Sequence, residues 1–374
     1  MKYIDEFRDP ARAQAVLDGI RVLADRIARR RDAPLQIMEV CGGHTHAIFR
    51  FGLAELLPAT IEFVHGPGCP VCVLPMGVVD DCVSIAMRPE VIFTTFGDAM
   101  RVPGSRLSLL AARAAGADVR TVYSPLDALA LARANPVREV VFFGLGFETT
   151  MPATALTVQQ AERERIANFS LFCNHITIIP TLRAVLDAPG VWIDGFLGPG
   201  HVSMVIGSAP YRFIAERYRK PLVISGFEPL DVLQSVWMLL AQIDAGRCAI
   251  ENQYGRVAAA DGNPVALGAI AAVFEPRESC EWRGLGSIDG SGVRLRASYA
   301  PWDAERRFPL ARARVADPDG CRCGEVLTGA IKPWQCALFA GRCTPETPLG
   351  ALMVSAEGAC SAYLQYARRE EPAA

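Results

Sequence analysis

The spacing of apolar residues changes early in this chain. Between residues 12 and 28, Val16, Leu17, Ile20, Leu23, Ala24 and Ile27 recur at helical intervals, which predicts an amphipathic helix. Short apolar runs then take over: Gln36–Val40, Ile61–Val64, Val91–Phe96, Val119–Tyr123, Val140–Phe143, Ser170–Cys173, Trp192–Leu197 and Leu222–Ile224. Stretches of helical character, such as Gly77–Met87, Arg106–Ala115 and Leu230–Ile243, separate them. Strand and helix in repeated alternation predict an α/β fold of parallel sheets with helices on both faces.

The strand count and the interruption at Asn135-Pro136 predict two such sheets in succession, divided near residue 137. Beyond residue 250, Gly, Pro and Trp become frequent, and runs such as Val293–Leu295 read as antiparallel strands. The expected organisation is therefore an N-terminal helix (1–33) packing on the C-terminal region, α/β domains over 34–137 and 138–250, and a smaller region over 251–374. Gly146-Phe147-Glu148 and Gly226-Phe227-Glu228 each follow a predicted strand, an echo that chance accounts for better than repetition.

Composition narrows the function. With 374 residues, 51% of them hydrophobic, the chain can bury a large core. Lys and Arg (38) nearly balance Asp and Glu (40), so no electrostatic footprint for nucleic acid is expected. The first residues include Asp5, Glu6 and Asp9 where a secretory signal needs a basic start, and no apolar run reaches membrane-spanning length. A cytoplasmic location is expected, with no membrane partner. In that compartment thiols stay reduced, so the 12 cysteines point to metal or redox chemistry rather than a disulfide framework.

Cys41, Cys69, Asp98, Glu148, His175, His201 and Glu228 all fall just after predicted strands, where open α/β sheets form their binding crevices. The alternative for each is a helix cap or loop residue. Cys41-Gly42-Gly43-His44-Thr45-His46 combines a thiol, a tight glycine turn and two imidazoles, donors that suit iron, zinc or copper. A nearby histidine or helix start would also lower the Cys41 pKa and make it nucleophilic. Gly66-Pro67-Gly68-Cys69-Pro70-Val71-Cys72 is a C-x-x-C with proline inside, which reads as a redox-active dithiol or as half of a metal site. Cys321, Cys323, Cys336, Cys343 and Cys360 form a third group, spaced C-x14-C-x6-C-x16-C from Cys321. Four thiolates from such a region hold either a [4Fe–4S] cluster or a structural zinc, and spacing alone leaves both open. Cys82, Cys173, Cys248 and Cys280 stand apart as core or surface residues.

These motifs, together with Phe96-Gly97-Asp98-Ala99-Met100-Arg101-Val102-Pro103-Gly104, Gly198-Pro199-Gly200-His201-Val202-Ser203, Trp282-Arg283-Gly284-Leu285-Gly286 and Met353-Val354-Ser355-Ala356-Glu357-Gly358-Ala359-Cys360, make the chain resemble the HypD family of hydrogenase maturation factors over essentially its full length. The resemblance implies a scaffold on which the Fe(CN)₂CO centre of [NiFe] hydrogenase is assembled. Its implied cofactors are a C-terminal [4Fe–4S] cluster and a transient iron carrying cyanide and carbon monoxide, and its implied partners are HypC and, as cyanide donor, HypE. Cys41 is then the implied iron ligand. His44, His46, Asp98, His201 and Glu357 lie in shared motifs and are candidates for orienting ligands or moving protons. Many family members carry a further cysteine where this sequence has Leu352, so that position is no obligatory ligand here. The competing expectation is a thiol–disulfide oxidoreductase using Cys69 and Cys72, or an iron–sulfur enzyme with another substrate.

Overall fold

A computed structural model describes residues 5–366. It is an α/β structure with two parallel sheets. The first contains β1 (Leu35–Glu39), β2 (Ile61–His65), β7 (Gly195–Pro199), β8 (Leu222–Ser225) and β9 (Ile250–Asn252), in the order β2-β1-β7-β8-β9. The second contains β3 (Val91–Thr95), β4 (Val119–Thr121), β5 (Glu139–Gly146) and β6 (Phe169–His175), in the order β4-β3-β5-β6.

The strands read as unbroken apolar runs because successive side chains enter different cores. In β5, Val140 and Phe142 face the helices Pro125–Ala134 and Met151–Arg163, whereas Val141 and Phe143 face the opposite way. In the first sheet, Ile37, Leu197 and Val223 join the core on one face, and Met38, Phe196 and Ile224 join the core on the other. Met38, Phe196 and Ile224 share that second core with Phe93, Val141 and Phe143 of the second sheet. Val326, Leu327, Met353 and Val354 complete it, so the C-terminal region shares the same apolar interior.

The division expected at residue 137 is corrected by the register. Val91 of β3 pairs with Glu139 of β5, so that boundary cuts through the second sheet. The chain begins the first sheet with β1 and β2, builds the whole second sheet, and returns with β7 to β9. Asn135-Pro136 is only a helix stop: Asn135 caps Pro125–Ala134, and four residues later β5 begins.

The N-terminal helix, Pro10–Ala28, also packs differently from expectation. Asp9 caps its first turn, and Leu17, Ile20, Leu23, Ala24 and Ile27 lie against Val232, Leu233, Val236, Leu239 and Leu240 of the helix Pro229–Asp244. Arg26 and Arg30 pair with Asp244 at the far end. The helix thus covers the outer face of the first sheet and not the C-terminal region.

After β9, β10 (Phe274–Pro276) pairs antiparallel with β13 (Val293–Leu295), and β11 (Ser279–Trp282) with β12 (Gly286–Asp289), as the alternation predicts. The final described helix, Ala359–Tyr366, lies against the helix Gly42–Arg50, with Tyr363 4.5 Å from Phe49 between ring centres. Among the described residues no helix is long and apolar enough to cross a membrane.

Ile20 is completely buried between the N-terminal helix and Pro229–Asp244. Ile20→Ala is expected to lower the unfolding free energy by about 2–5 kcal/mol in a denaturant titration, with an unchanged m-value.

Candidate functional site

Strands β1 and β2 run side by side, and Glu39 pairs with His65 at their carboxyl ends. The Glu39 side chain is fully buried. Its Oε2 accepts the Cys41 backbone N–H at 3.0 Å, and its Oε1 accepts from the Thr45 hydroxyl and, at 2.8 Å, from His65 Nδ1. Its backbone carbonyl accepts Gly66 N–H at 2.9 Å, and Gly42 N–H donates to Gly68 O at 3.0 Å. The loops carrying Cys41 and Cys69 are therefore held together by backbone on both sides. A Cβ at Gly68 would lie 2.2 Å from the Cys41 nitrogen, so only glycine allows this approach.

Cys41 caps the helix Gly42–Arg50, with its sulfur 3.9 Å from His201 Nδ1. His201 opens the helix Gly200–Ile206 just beyond β7. Its imidazole is drawn down to about 4 by burial and by the nearby His44. Phe227 stacks on His201 at 3.8 Å and on His44 at 4.7 Å. His44 Nε2 lies 3.1 Å from the carbonyls of both Ser225 and Gly226, which makes it the protonated nitrogen, and Nδ1 is left buried with no partner. Burial lowers this imidazole too.

Glu357 reaches the same corner from the C-terminal region, and a Cβ at Gly42 would sit 2.5 Å from its Oε2. Its carboxyl is raised by burial, then by Asp98 and Glu39. Asp98 lies exposed on the turn Gly97–Arg101 at the rim. The Cys41 thiol is pushed up to about 12, first by burial and then by Glu357, against weaker help from backbone N–H groups. This corrects the expected activation: the neighbouring histidines are held neutral, and burial outweighs the helix terminus.

Cys69 and Cys72 are joined as a disulfide, with Cα atoms 5.2 Å apart. A Cβ at Gly358 would come within 3.0 Å of the Cys72 sulfur, so the segment carrying Glu357 abuts this pair as well. Arg101 donates to Val354 O at 2.6 Å, and Arg283 N–H donates to Val73 O at 2.8 Å, which fixes the C-terminal region over the Cys69 loop.

Cys321, Cys323, Cys336, Cys343 and Cys360 line a single cavity, with Val326, Leu338, Phe339 and Met353 among its other walls. Among the described residues no three His, Cys, Asp or Glu side chains converge tightly enough for a single metal ion. The five thiols share the walls of this one cavity, with the sulfurs of Cys321 and Cys323 in contact at 3.3 Å. Cys343 sulfur accepts Leu349 N–H at 3.4 Å and Gly350 N–H at 3.5 Å, the kind of backbone donor that supports cluster sulfurs. The donor set and the apolar lining both fit a [4Fe–4S] cluster.

Residues 16–367 match the family described as "HypD: Hydrogenase formation hypA family". The chain belongs to the HypD family. The hydrogenase maturation factor HypD of Rhodobacter capsulatus is 64% identical over 370 residues, covering 98% of each chain. That of Escherichia coli strain K12 is 58% identical over 373 residues and 100% of each chain, and that of Rhizobium leguminosarum bv. viciae is 53% identical over 378 residues, 99% of this chain and 97% of its own.

In this HypD-family chain, Cys41, Cys69, Cys72, His44, His201 and Glu357 meet at one corner, and Asp98 stands at its edge. His46 does not join them. Two residues beyond His44 on the helix, it turns away, 6.1 Å from the Tyr366 ring. His175 is buried beside Cys173 at 3.6 Å and beneath Phe274, and burial draws it down to about 3. Glu228 is a helix cap paired with Arg8. Glu148 accepts Ile178 N–H at 3.1 Å and leaves its other oxygen buried without a partner, so burial raises it to about 7. Burial raises the hydroxyl of Tyr211 well above its ordinary value.

Sequence reading missed Glu39, Thr45, His65, Tyr211 and Phe227. A carboxylate inside the apolar run Gln36–Val40 was the available signal, because such a group is retained in a core only with partners. Phe227 and Tyr211 carry none, since an aromatic residue in a core and one in a site look alike.

Two outcomes follow from the shifted groups. Alkylation of Cys41 in the reduced, metal-free protein should rise about tenfold per pH step between pH 8 and 10 without levelling, since the thiolate is what reacts and its pKa lies near 12. Glu357→Gln should accelerate it at each pH by removing a negative neighbour, as peptide mass spectrometry would record. The folded-state pKa of Glu148 lies above its ordinary value of 4.5 at about 7, so its favourable contribution is complete below pH 4.5 and lost as pH rises through 7. Glu148→Gln should therefore gain about 3 kcal/mol on the wild type between pH 4.5 and 8 in denaturant titrations.

Proposed function

We propose that this chain acts in the cytoplasm as the scaffold and redox assembly factor for the Fe(CN)₂CO centre of [NiFe] hydrogenase. Iron is held by Cys41 together with a thiolate from HypC, and cyanide is accepted from HypE. The observation that carries this reading is the convergence of Cys41, the Cys69–Cys72 pair and Glu357 at one corner, with the Cys41 and Cys69 loops hydrogen-bonded to each other. Its family relatives are named hydrogenase maturation factors.

The chemistry of the corner suits the task. A buried thiol with its pKa near 12 stays protonated at neutral pH, and a bound cation releases that proton, so Cys41 is a better metal ligand than nucleophile. A soft thiolate suits iron with strong-field ligands. His44 and His201, held neutral beside it, add no positive charge against the incoming metal.

Cyanide arrives as a thiocyanate on a partner cysteine. Its S–C bond breaks, cyanide passes to the iron, and the partner sulfur leaves as thiolate. Two electrons are required; the Cys69 and Cys72 thiols supply them by forming their S–S bond and releasing two protons. Four of the five C-terminal cysteines would hold a [4Fe–4S] cluster, which would supply electrons one at a time; two of these, with two protons, would return Cys69 and Cys72 to thiols.

Infrared spectra of the anaerobic complex with HypC, co-produced with the other maturation factors, test the scaffold role. Wild type should show cyanide and carbonyl stretches, and Cys41→Ala should show none; a bare wild-type spectrum with the cluster intact would overturn the reading. Cys72→Ser should keep cluster and iron yet fail to acquire cyanide, and acquisition at the normal rate would refute the role given to the dithiol.

A further inference from the structure

We propose that Arg283 is a positioning residue for the Cys69–Cys72 pair: it clamps the C-terminal region over the disulfide and closes that bond to thiols from solution. The inference rests on the redox role given above to the two cysteines. It starts from Trp282-Arg283-Gly284-Leu285-Gly286, a motif to which the site as described gives no task.

The motif forms the turn between β11 and β12. Trp282 anchors it: the indole is buried, donates to the Ser291 hydroxyl at 2.8 Å and lies 5.8 Å from the Phe147 ring. Gly284 then lies flush against the helix Cys323–Leu327. It has a φ of +79°, and a Cβ there would come within 2.9 Å of the Gly324 nitrogen. The turn is thereby wedged between the Cys69 loop and the segments that line the cysteine cavity.

Arg283 ties these pieces together. Its backbone N–H donates to Val73 O, one residue beyond Cys72. Its guanidinium is almost wholly buried and directs its donors to three other segments. It pairs with Asp317, four residues before Cys321, and donates to Leu349 O at 2.9 Å, beside the amides that reach the Cys343 sulfur. It also donates to Pro103 O at 3.4 Å, just beyond the turn that carries Asp98. Releasing any one of these segments strands part of a buried cation.

Beneath this clamp the disulfide is out of reach. Cys69 is 5% exposed and Cys72 1%, and Gly358 lies over the Cys72 sulfur, where an added Cβ would come within 3.0 Å. A thiolate from solution opens a disulfide by bonding to one sulfur and releasing the other as thiolate; a second thiolate then takes the first away as a new disulfide and frees the remaining sulfur. That attack needs the C-terminal region to lift. While the clamp is closed, the pair keeps the redox state set within the protein and does not settle at the poise of the surrounding thiols.

The test uses anaerobically purified full-length protein with Cys69–Cys72 closed and with iron and sulfide measured. It is mixed with excess reduced glutathione, and opening of the pair is followed by alkylation and peptide mass spectrometry. Arg283→Gln should open about tenfold faster than wild type, the factor expected when a buried charge-assisted hydrogen bond no longer opposes local opening. Arg283→Lys, which keeps the positive charge and a donor, should recover part of the difference. Asp317→Ala, which strands the guanidinium without its carboxylate, should also accelerate opening, and it decides the matter if Arg283→Gln does not fold. Ile20→Ala, destabilised on the outer face of the first sheet, should open at the wild-type rate. The inference is overturned if Arg283→Gln opens at the wild-type rate, or if Ile20→Ala opens as fast as Arg283→Gln, since global unfolding then gives access. It is also overturned if Arg283→Gln loses the iron and sulfide that the wild type holds, since Arg283 then serves to build the cage. The infrared test above is independent: a bare spectrum there removes the scaffold reading, whereas these rates decide the clamp.

Discussion

The buried carboxyl group of Glu39 is the contact on which the functional corner depends. It receives the Cys41 amide, the Thr45 hydroxyl and the His65 ring, while its own carbonyl takes the Gly66 amide. These groups come from the last residue of β2, the helix Gly42–Arg50 and the loops that follow β1 and β2. Leaving one such donor unpaired costs about 1–3 kcal/mol, so the arrangement resists partial opening. Because β1 and β2 are adjacent and in register, one side chain governs the position of both cysteine motifs. The tight approach of Gly68 to Cys41 follows from this pairing.

Around that contact the rest of the corner arrives from three distant stretches of chain. β7 brings His201, the loop after β8 brings Phe227, and the C-terminal segment brings Glu357. The aromatic ring of Phe227 lies against both imidazoles; His44 is fully buried, whereas His201 remains exposed. A site assembled this way has few charges of its own.

Much of this was legible in the sequence, for identifiable reasons. β1 to β8 were visible because strands covered on both faces are apolar without interruption. Cys41, Cys69 and His201 were singled out because open α/β sheets form their binding crevices at the carboxyl ends of parallel strands, and the structure brings the three to one corner. The partition of strands between sheets was not legible, since β3 and β7 look the same in sequence and only the register says which neighbour each one chose. The same limit misplaced the N-terminal helix, whose apolar stripe specifies that it is buried but not against what. His46 was a misreading of direction: neighbouring histidines in a row imply a shared site in an extended segment, but a helix sends alternate residues apart. Glu228 and His175 show the cost of reading strand ends alone, since one is a cap and the other is covered by β13 and Phe274.

The interleaved order of the two sheets sets a schedule for biosynthesis. A nascent chain that has released only β1 and β2 has no edge on which to complete the first sheet, while β3 to β6 are contiguous and can pair as soon as they emerge. The second sheet is therefore the natural early folding unit, and β1 with β2 must wait for β7. Cys41 gains His201 and Phe227 only when the first sheet closes, and Glu357 only when nearly the whole chain is out. Its thiol is thus surrounded only late in synthesis by the groups that raise its pKa.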